Sequence, residues 1–229
     1  MDTPKVIYQD SEILVLDKPS GWITNDASTT TNQPVVQAWL RENFDYELIG
    51  DREARDGIVH RLDKETSGIL LVAKTKQAFE ELQRQFKNRE VEKSYIALLH
   101  GRVEPDEGKI VAPIGRLPWR RDRFGILPGG RESESEYKVV RYYDDYSLVE
   151  FFPKTGRTHQ IRIHAKHMGH PIVGDSFYAG RKTAREDRKW APRLFLQAAG
   201  IKFRHPGSGK KIEFHLDLSQ DLQNVLKSI

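Results

Sequence analysis

Apolar and polar positions alternate with short periods along most of the chain. VIYQD (6–10) and EILVLDKP (12–19) read as two strands joined by a turn at Asp10-Ser11, and Pro19-Ser20-Gly21 closes the second. QPVVQAWLRENF (33–44) reads as a helix, with Val36, Leu40 and Phe44 at four-residue spacing and Trp39 beside them. Residues 45–57 are polar and irregular. ILLVA (69–73) is a continuous apolar run, the pattern of a strand covered on both faces. Thr75 is placed to cap a helix over 76–89, where Phe79, Leu82 and Phe86 share one face.

YIALLHGRV (95–103) reads as a strand, and 104–134 as an extended loop or hairpin. EYKVVRYY (136–143) and SLVEFFP (147–153) alternate like paired strands. THQIRIHAKHMG (158–169) has helical periodicity through Ile161, His164, Ala165 and Met168, with Gly169 as its stop. FLQAAGIKFRHP (195–206) and KKIEFHL (210–216) are late strands, and SQDLQNVLKSI is a terminal helix capped by Ser219. Helices are interspersed among strands without strict alternation. The expectation is a single α+β domain spanning 1–229, with a mixed, mainly antiparallel sheet flanked by helices and loops.

Composition narrows the class. The 229 residues suffice for a sizeable core, and 38% hydrophobic against 31% charged residues reads as soluble and globular. No stretch approaches the length of a membrane span, and the N-terminus lacks an apolar signal core. The absence of cysteine excludes disulfides, thiolate catalysis and cysteine-ligated metal centres. A cytoplasmic monomer is the default expectation.

The net charge is only +4, but the cations are clustered. Residues 116–131 hold five arginines against Asp122, and 153–171 hold Lys154, Arg157, Arg162, Lys166 and four histidines with no acid. Residues 181–193 hold six cations against Glu186 and Asp187. Such clusters are the footprint of a phosphate-bearing partner, or simply solvated loops.

The chemistry concentrates at IVHRLDKETSGILLVA (58–73), where His60, Arg61, Asp63, Lys64 and Glu65 stand directly before an apolar strand. Charges are rarely buried unpaired, so the segment is either a surface turn or a pocket that orients one carboxylate. The histidines at 159, 164, 167 and 170 invite a metal reading. No carboxylate completes the set within the segment and no H-E-x-x-H pattern occurs, so a metal site is not expected.

Three stretches carry a family resemblance: HRLDKETSGILLVAKT (60–75), EKSYIALLHG (92–101) and KTGRTHQIRIHAKHMGHPIVGDSFYAG (154–180). EILVLDKPSGW (12–22) and API (112–114) extend it. Together they resemble the RluA-type pseudouridine synthases, in the form lacking the N-terminal RNA-binding module. The resemblance implies an isomerase that converts uridine to pseudouridine in transfer RNA or 23S-type ribosomal RNA, with no cofactor and no metal.

It implies roles as well. Asp63 falls on the family's aspartate, acting as nucleophile at the ribose or as base at the neighbouring sugar carbon. Arg162 is the carboxylate's ion-pair partner, and the ring of Tyr95 stacks on the target uracil. Arg61 resembles a residue that holds the place of the flipped-out nucleotide or its phosphates. His60 either joins it in facing RNA or supports the loop through a hydrogen bond. Arg157 and His159 are placed to meet RNA phosphate. Arg116, Arg120, Arg121 and Arg123, interleaved with Trp119 and Phe124, suit a clamp on the RNA backbone. An RNA-binding or assembly factor that keeps the fold without turnover is the alternative.

Overall fold

Lys5–Gln9 (β1) and Ile13–Lys18 (β2) form the first antiparallel pair, with Val6 opposite Leu16. Ser67–Ala73 (β3) is buried along its whole length and lies antiparallel to β2, as its continuous apolar run requires. The chain is described by a computed structural model over residues 2–26, 30 and 32–229, apart from the side chains at 121 and 122.

Two compact units emerge, Met1–Val91 with Gly200–Leu216, and Glu92–Ala199 with Asp217–Ile229. In the first, strand order runs β1-β2-β3 and then Leu196–Arg204 (β10), to which Lys211–His215 (β11) is paired antiparallel. Ile13, Val15, Ile69 and Leu71 pack with Ile201, Phe203 and with Ala78 and Leu82 of the helix Lys76–Lys87 (α2). That helix begins where expected, because the Thr75 hydroxyl accepts the Ala78 N–H at 3.2 Å. Its Gln85 amide brackets the backbone of Arg204, donating to the carbonyl at 2.8 Å and accepting the N–H at 2.9 Å. The first helix is Val36–Asn43 (α1), shorter than expected.

The second unit has the order β10, Glu92–His100 (β4), Tyr146–Pro153 (β9), Glu134–Tyr142 (β8), Glu107–Val111 (β5). Tyr95 lies opposite Phe151. Gln160–His167 (α3) and Gln220–Lys227 (α5) add Ile161, Ala165, Leu222 and Val225 to a core with Leu98, Val149 and Phe195. The α+β class with a mainly antiparallel sheet is as expected.

Two local expectations are corrected, and one helix appears that the sequence pattern did not predict. Residues 104–134 are not one loop or hairpin: β5 joins the larger sheet, while Ile114–Leu117 (β6) and Arg120–Ile126 (β7) form a separate antiparallel hairpin. Residues 181–187, Arg181–Asp187, form a short helix (α4) that its polar composition conceals. Ser219 stands at the N-cap of α5 without a capping bond from its side chain. Its hydroxyl instead donates to Asp221 at 2.6 Å and accepts from Arg193.

Candidate active site

The loop carrying Asp63 is fixed through its backbone. The Thr24 hydroxyl donates to the Leu62 carbonyl at 2.8 Å and accepts the Leu62 N–H at 3.2 Å. The Lys64 carbonyl accepts from the Gly21 N–H at 2.8 Å, and the Glu65 carbonyl from the Ser20 hydroxyl at 2.8 Å. The Thr66 N–H closes the turn on the Asp63 carbonyl. Every one of these partners except Thr66 comes from the end of β2 or just after it. The EILVLDKPSGW stretch therefore cradles the HRLD loop, which is why the two segments occur together.

Lys18 reinforces the cradle from within. It is fully buried, and its ammonium donates to the carbonyls of Trp22 (2.9 Å), Pro19 (3.0 Å) and Lys64 (3.4 Å). An ammonium has three donors and no acceptor, so a ring of carbonyls suits it. Asp63 is half-buried and Arg61 exposed. His60 is half-buried. Its Nε2 accepts the Leu71 N–H at 2.9 Å and its ring stacks on Phe86 at 5.0 Å. Nε2 must then be unprotonated, which puts the neutral imidazole's hydrogen on Nδ1.

A second support lies upstream in the same unit. Buried Asp56 accepts from Arg41, from the Gln37 amide at 2.6 Å and from the Gly50 N–H at 2.6 Å. Burial alone would raise its carboxyl, but the hydrogen bonds from Arg41 and Gln37 outweigh it and hold the group below the usual carboxylate range. Gly57, at φ +82°, passes so close to β3 that a Cβ there would stand 1.9 Å from the Ala73 carbonyl oxygen.

In the second unit, Arg162 is 2% exposed on α3. Its Nε and Nη2 donate to the two carboxylate oxygens of Asp175, each at 2.8 Å. Asp175 also accepts the Phe177 N–H at 2.9 Å and the Tyr178 N–H at 3.1 Å. The guanidinium carbon lies 5.3 Å from the centroids of both the Phe177 and Tyr178 rings. One edge of the fork is thus committed to Asp175, and the plane is fixed by two aromatic rings.

The turn before α3 is built by Gln160. Its side-chain oxygen accepts from the Thr155 hydroxyl at 2.7 Å and the Arg157 N–H at 2.9 Å. Arg157 Nε donates to the Glu132 carbonyl at 3.0 Å. His159 takes the left-handed conformation at φ 56° and brings Nδ1 within 2.8 Å of the Tyr178 hydroxyl. From the hairpin, Arg123 Nη1 donates to the Phe177 carbonyl at 2.6 Å, and Arg116 lies 5.0 Å over the Phe124 ring. Arg120 is exposed. The Arg121 side chain lies outside the described residues. Tyr95 is half-buried against the core of this unit. Burial lowers Lys93, two residues before it, to about 8.

The four histidines of 159–170 are dispersed in role. His164 is buried with Nε2 at 2.9 Å from the Ser133 hydroxyl, and His170 Nδ1 is 2.8 Å from the His100 carbonyl. Among the described residues no three His, Cys, Asp or Glu side chains gather as a metal centre.

Asp63 belongs to the first unit, and Tyr95, Arg162, His159 and Arg123 to the second. Sequence reasoning singled out these groups but not Lys18, Thr24 or Asp175. A signal for Asp175 existed. A guanidinium on the inward face of a helix demands a carboxylate, and Asp175 is the first acid after Arg162.

Comparison with known proteins gives the family. Residues 12–167 match the family model described as RNA pseudouridylate synthase. An uncharacterized RNA pseudouridine synthase of Chloroflexus aurantiacus is 42% identical over 213 residues, covering 93% of this chain and 65% of that protein. Ribosomal large subunit pseudouridine synthase D of Nitrosomonas europaea is 34% identical, covering 98% and 65%. The chain thus spans just under two thirds of the length of these two relatives. Among solved structures, human RNA Pseudouridylate Synthase Domain Containing 1 superposes with a TM-score of 0.74 at 29% identity, over 94% of this chain and 83% of that one. With a family match that takes in the cradle, the HRLD loop, Tyr95 and Arg162, the chain belongs to the RNA pseudouridylate synthase family.

Proposed function

We propose that this chain isomerises uridine to pseudouridine within RNA, with Asp63 as the catalytic carboxylate and neither cofactor nor metal. The bond from uracil N1 to the ribose C1′ breaks, the base turns, and C5 bonds to C1′ while its proton leaves and N1 regains one. Asp63 acts at the ribose, as nucleophile at C1′ or as base at C2′. A carboxylate suits an oxocarbenium-like carbon, and it must be ionised to serve. Arg162, as the family resemblance implies, supplies the charge that favours the ionised Asp63, a role a guanidinium fork suits.

Tyr95 stacks on the uracil, and Arg61 holds the place of the extruded nucleotide, whose unstacking costs a few kcal/mol. His60, Arg157, His159 and the hairpin arginines Arg116, Arg120, Arg121 and Arg123 meet the RNA. Both units belong to one catalytic domain, residues 1–229. The protein acts as a cytoplasmic monomer.

The observation that carries this reading is the family match over 12–167, together with a loop around Asp63 whose backbone is pinned at every carbonyl from 62 to 65. The substrate is transfer RNA or large-subunit ribosomal RNA. The names of the relatives from Nitrosomonas europaea and Vibrio cholerae favour the ribosomal one.

The test is tritium release from RNA labelled at uridine C5, with transfer and ribosomal pools assayed separately. Wild type releases tritium from one pool, and Asp63→Ala releases none while keeping RNA affinity. No release by folded, RNA-binding wild type from either pool would favour the binding or assembly factor.

A further inference from the structure

Helix α4 carries Arg181, Lys182 and Arg185, and Arg188 stands at its C-cap, all four exposed. With Ser176 and Ala184 they line a depression of about 480 Å³. Arg181 and Arg185 stand four residues apart, Arg185 and Arg188 three, so the cations repel along one helix face. A helix of seven residues gains little from its own hydrogen bonds to offset that repulsion.

The acids of α4 offset the face only in part. Buried Asp187 is turned inward, where it accepts the Gly174 N–H at 2.9 Å and meets His100 Nε2 at 3.1 Å. Glu186 is engaged by Lys189, with Arg185 Nε no nearer than 3.7 Å. The one buried carboxylate therefore anchors the helix, and the cationic side is left to solvent.

Ser176 of the depression adjoins in the chain a segment that packs around Arg162. Ser176 follows Asp175, the partner of Arg162, and the Phe177 carbonyl accepts from Arg123 of the β6–β7 hairpin. Residues 175–178 thus link the hairpin to α4 within the second unit.

We propose that Arg181, Lys182, Arg185, Arg188 and Ser176 form a second RNA site that binds backbone phosphates of the substrate away from the target nucleotide. The site reads charge and carries no base specificity, as phosphate contacts do not. It extends the footprint beyond the hairpin, and it rests on the reading that RNA is the substrate.

The test compares the fourfold variant Arg181→Gln, Lys182→Gln, Arg185→Gln and Arg188→Gln with a charge-matched control, Lys5→Gln, Lys76→Gln, Lys87→Gln and Lys211→Gln. Affinity for pooled ribosomal and transfer RNA is measured by filter binding from 50 to 300 mM salt, on full-length proteins with matching circular dichroism. Each phosphate contact adds roughly 0.7 to 0.9 to the slope of log affinity against log salt, so the α4 variant should be shallower by about 3. Its affinity at 100 mM salt should fall about tenfold or more, and tritium release at saturating RNA should match wild type. The control should shift affinity less than about twofold.

Equal slopes and affinities for the two variants overturn the proposal. The single reversal Arg185→Glu, on an exposed side chain, must weaken binding in the same sense, and unchanged binding by that variant also overturns it. Tritium release by the wild type is read in the same experiment, so loss of the isomerase reading and loss of the α4 site are separate results.

Discussion

Arg162 and Asp175 meet through two parallel hydrogen bonds of 2.8 Å in a fully buried setting. Removing one partner of such a pair leaves an uncompensated charge and costs about 3–5 kcal/mol. Asp175→Asn keeps the shape and removes the charge. It is expected to lower unfolding stability by that amount in urea, and to depress tritium release because the fork loses its fixed edge. A loss below about 1 kcal/mol would mean that Asp175 contributes little to holding Arg162.

Thr24 holds both backbone groups of Leu62, the residue before Asp63. Thr24→Val is close in shape and leaves that N–H and carbonyl without their hydroxyl partner. The expected stability cost is about 1–3 kcal/mol. Turnover at saturating RNA should fall more than RNA affinity does. Equal losses in both would point to a general loosening of the loop.

His164 gives a pH window. Burial lowers its imidazole from 6.5 to about 4, and the Ala112 carbonyl opposes this only in part. The unfolded chain therefore takes up the proton first as pH falls. Stability from this group is intact above about 6.5 and is lost progressively down to about 4, up to roughly 3 kcal/mol in all. Urea unfolding at pH 7 and pH 4.5 should show that loss in wild type and a smaller one in His164→Asn.

Gly57 sits at φ +82°, with the Ala73 carbonyl 1.9 Å from where a Cβ would stand. Gly57→Ala must move the end of β3 or the loop that leads to His60. The expected cost exceeds about 3 kcal/mol, or a fall of roughly 6–12 °C in Tm for a chain of this size. A variant that melts with wild type would show that the loop yields cheaply.

The elements legible in the sequence are those whose burial is uniform or strictly periodic. β3 is buried throughout, and α2 turns Ala78 and Leu82 inward behind a working Thr75 cap. The segment 104–134 was not legible because β5 and β6 are short, β6 and β7 carry glycine and arginine, and the alternation is weak. α4 escaped because only Ala184 and Asp187 turn inward, so it has no apolar stripe to read. At the site, Asp63, Tyr95 and Arg162 stand in recognisable motifs. Lys18 stands in the EILVLDKPSGW stretch, but its role was not legible, since its partners are backbone carbonyls and carbonyls carry no sequence signature. Asp175 lies past the end of the helix that carries the arginine it pairs with.

The chain order of the first unit has a consequence for biosynthesis. Its β3 edge is completed by β10, which is made only after β4 to β9 have left the ribosome. Until then the cradle and the Asp63 loop ride on a three-stranded sheet with an apolar edge open to pairing with other chains. Truncation before residue 200 should therefore yield aggregation rather than a smaller folded protein. The segment 200–216, far along the chain from the motif segments, acts as the closing clasp for the unit that bears Asp63.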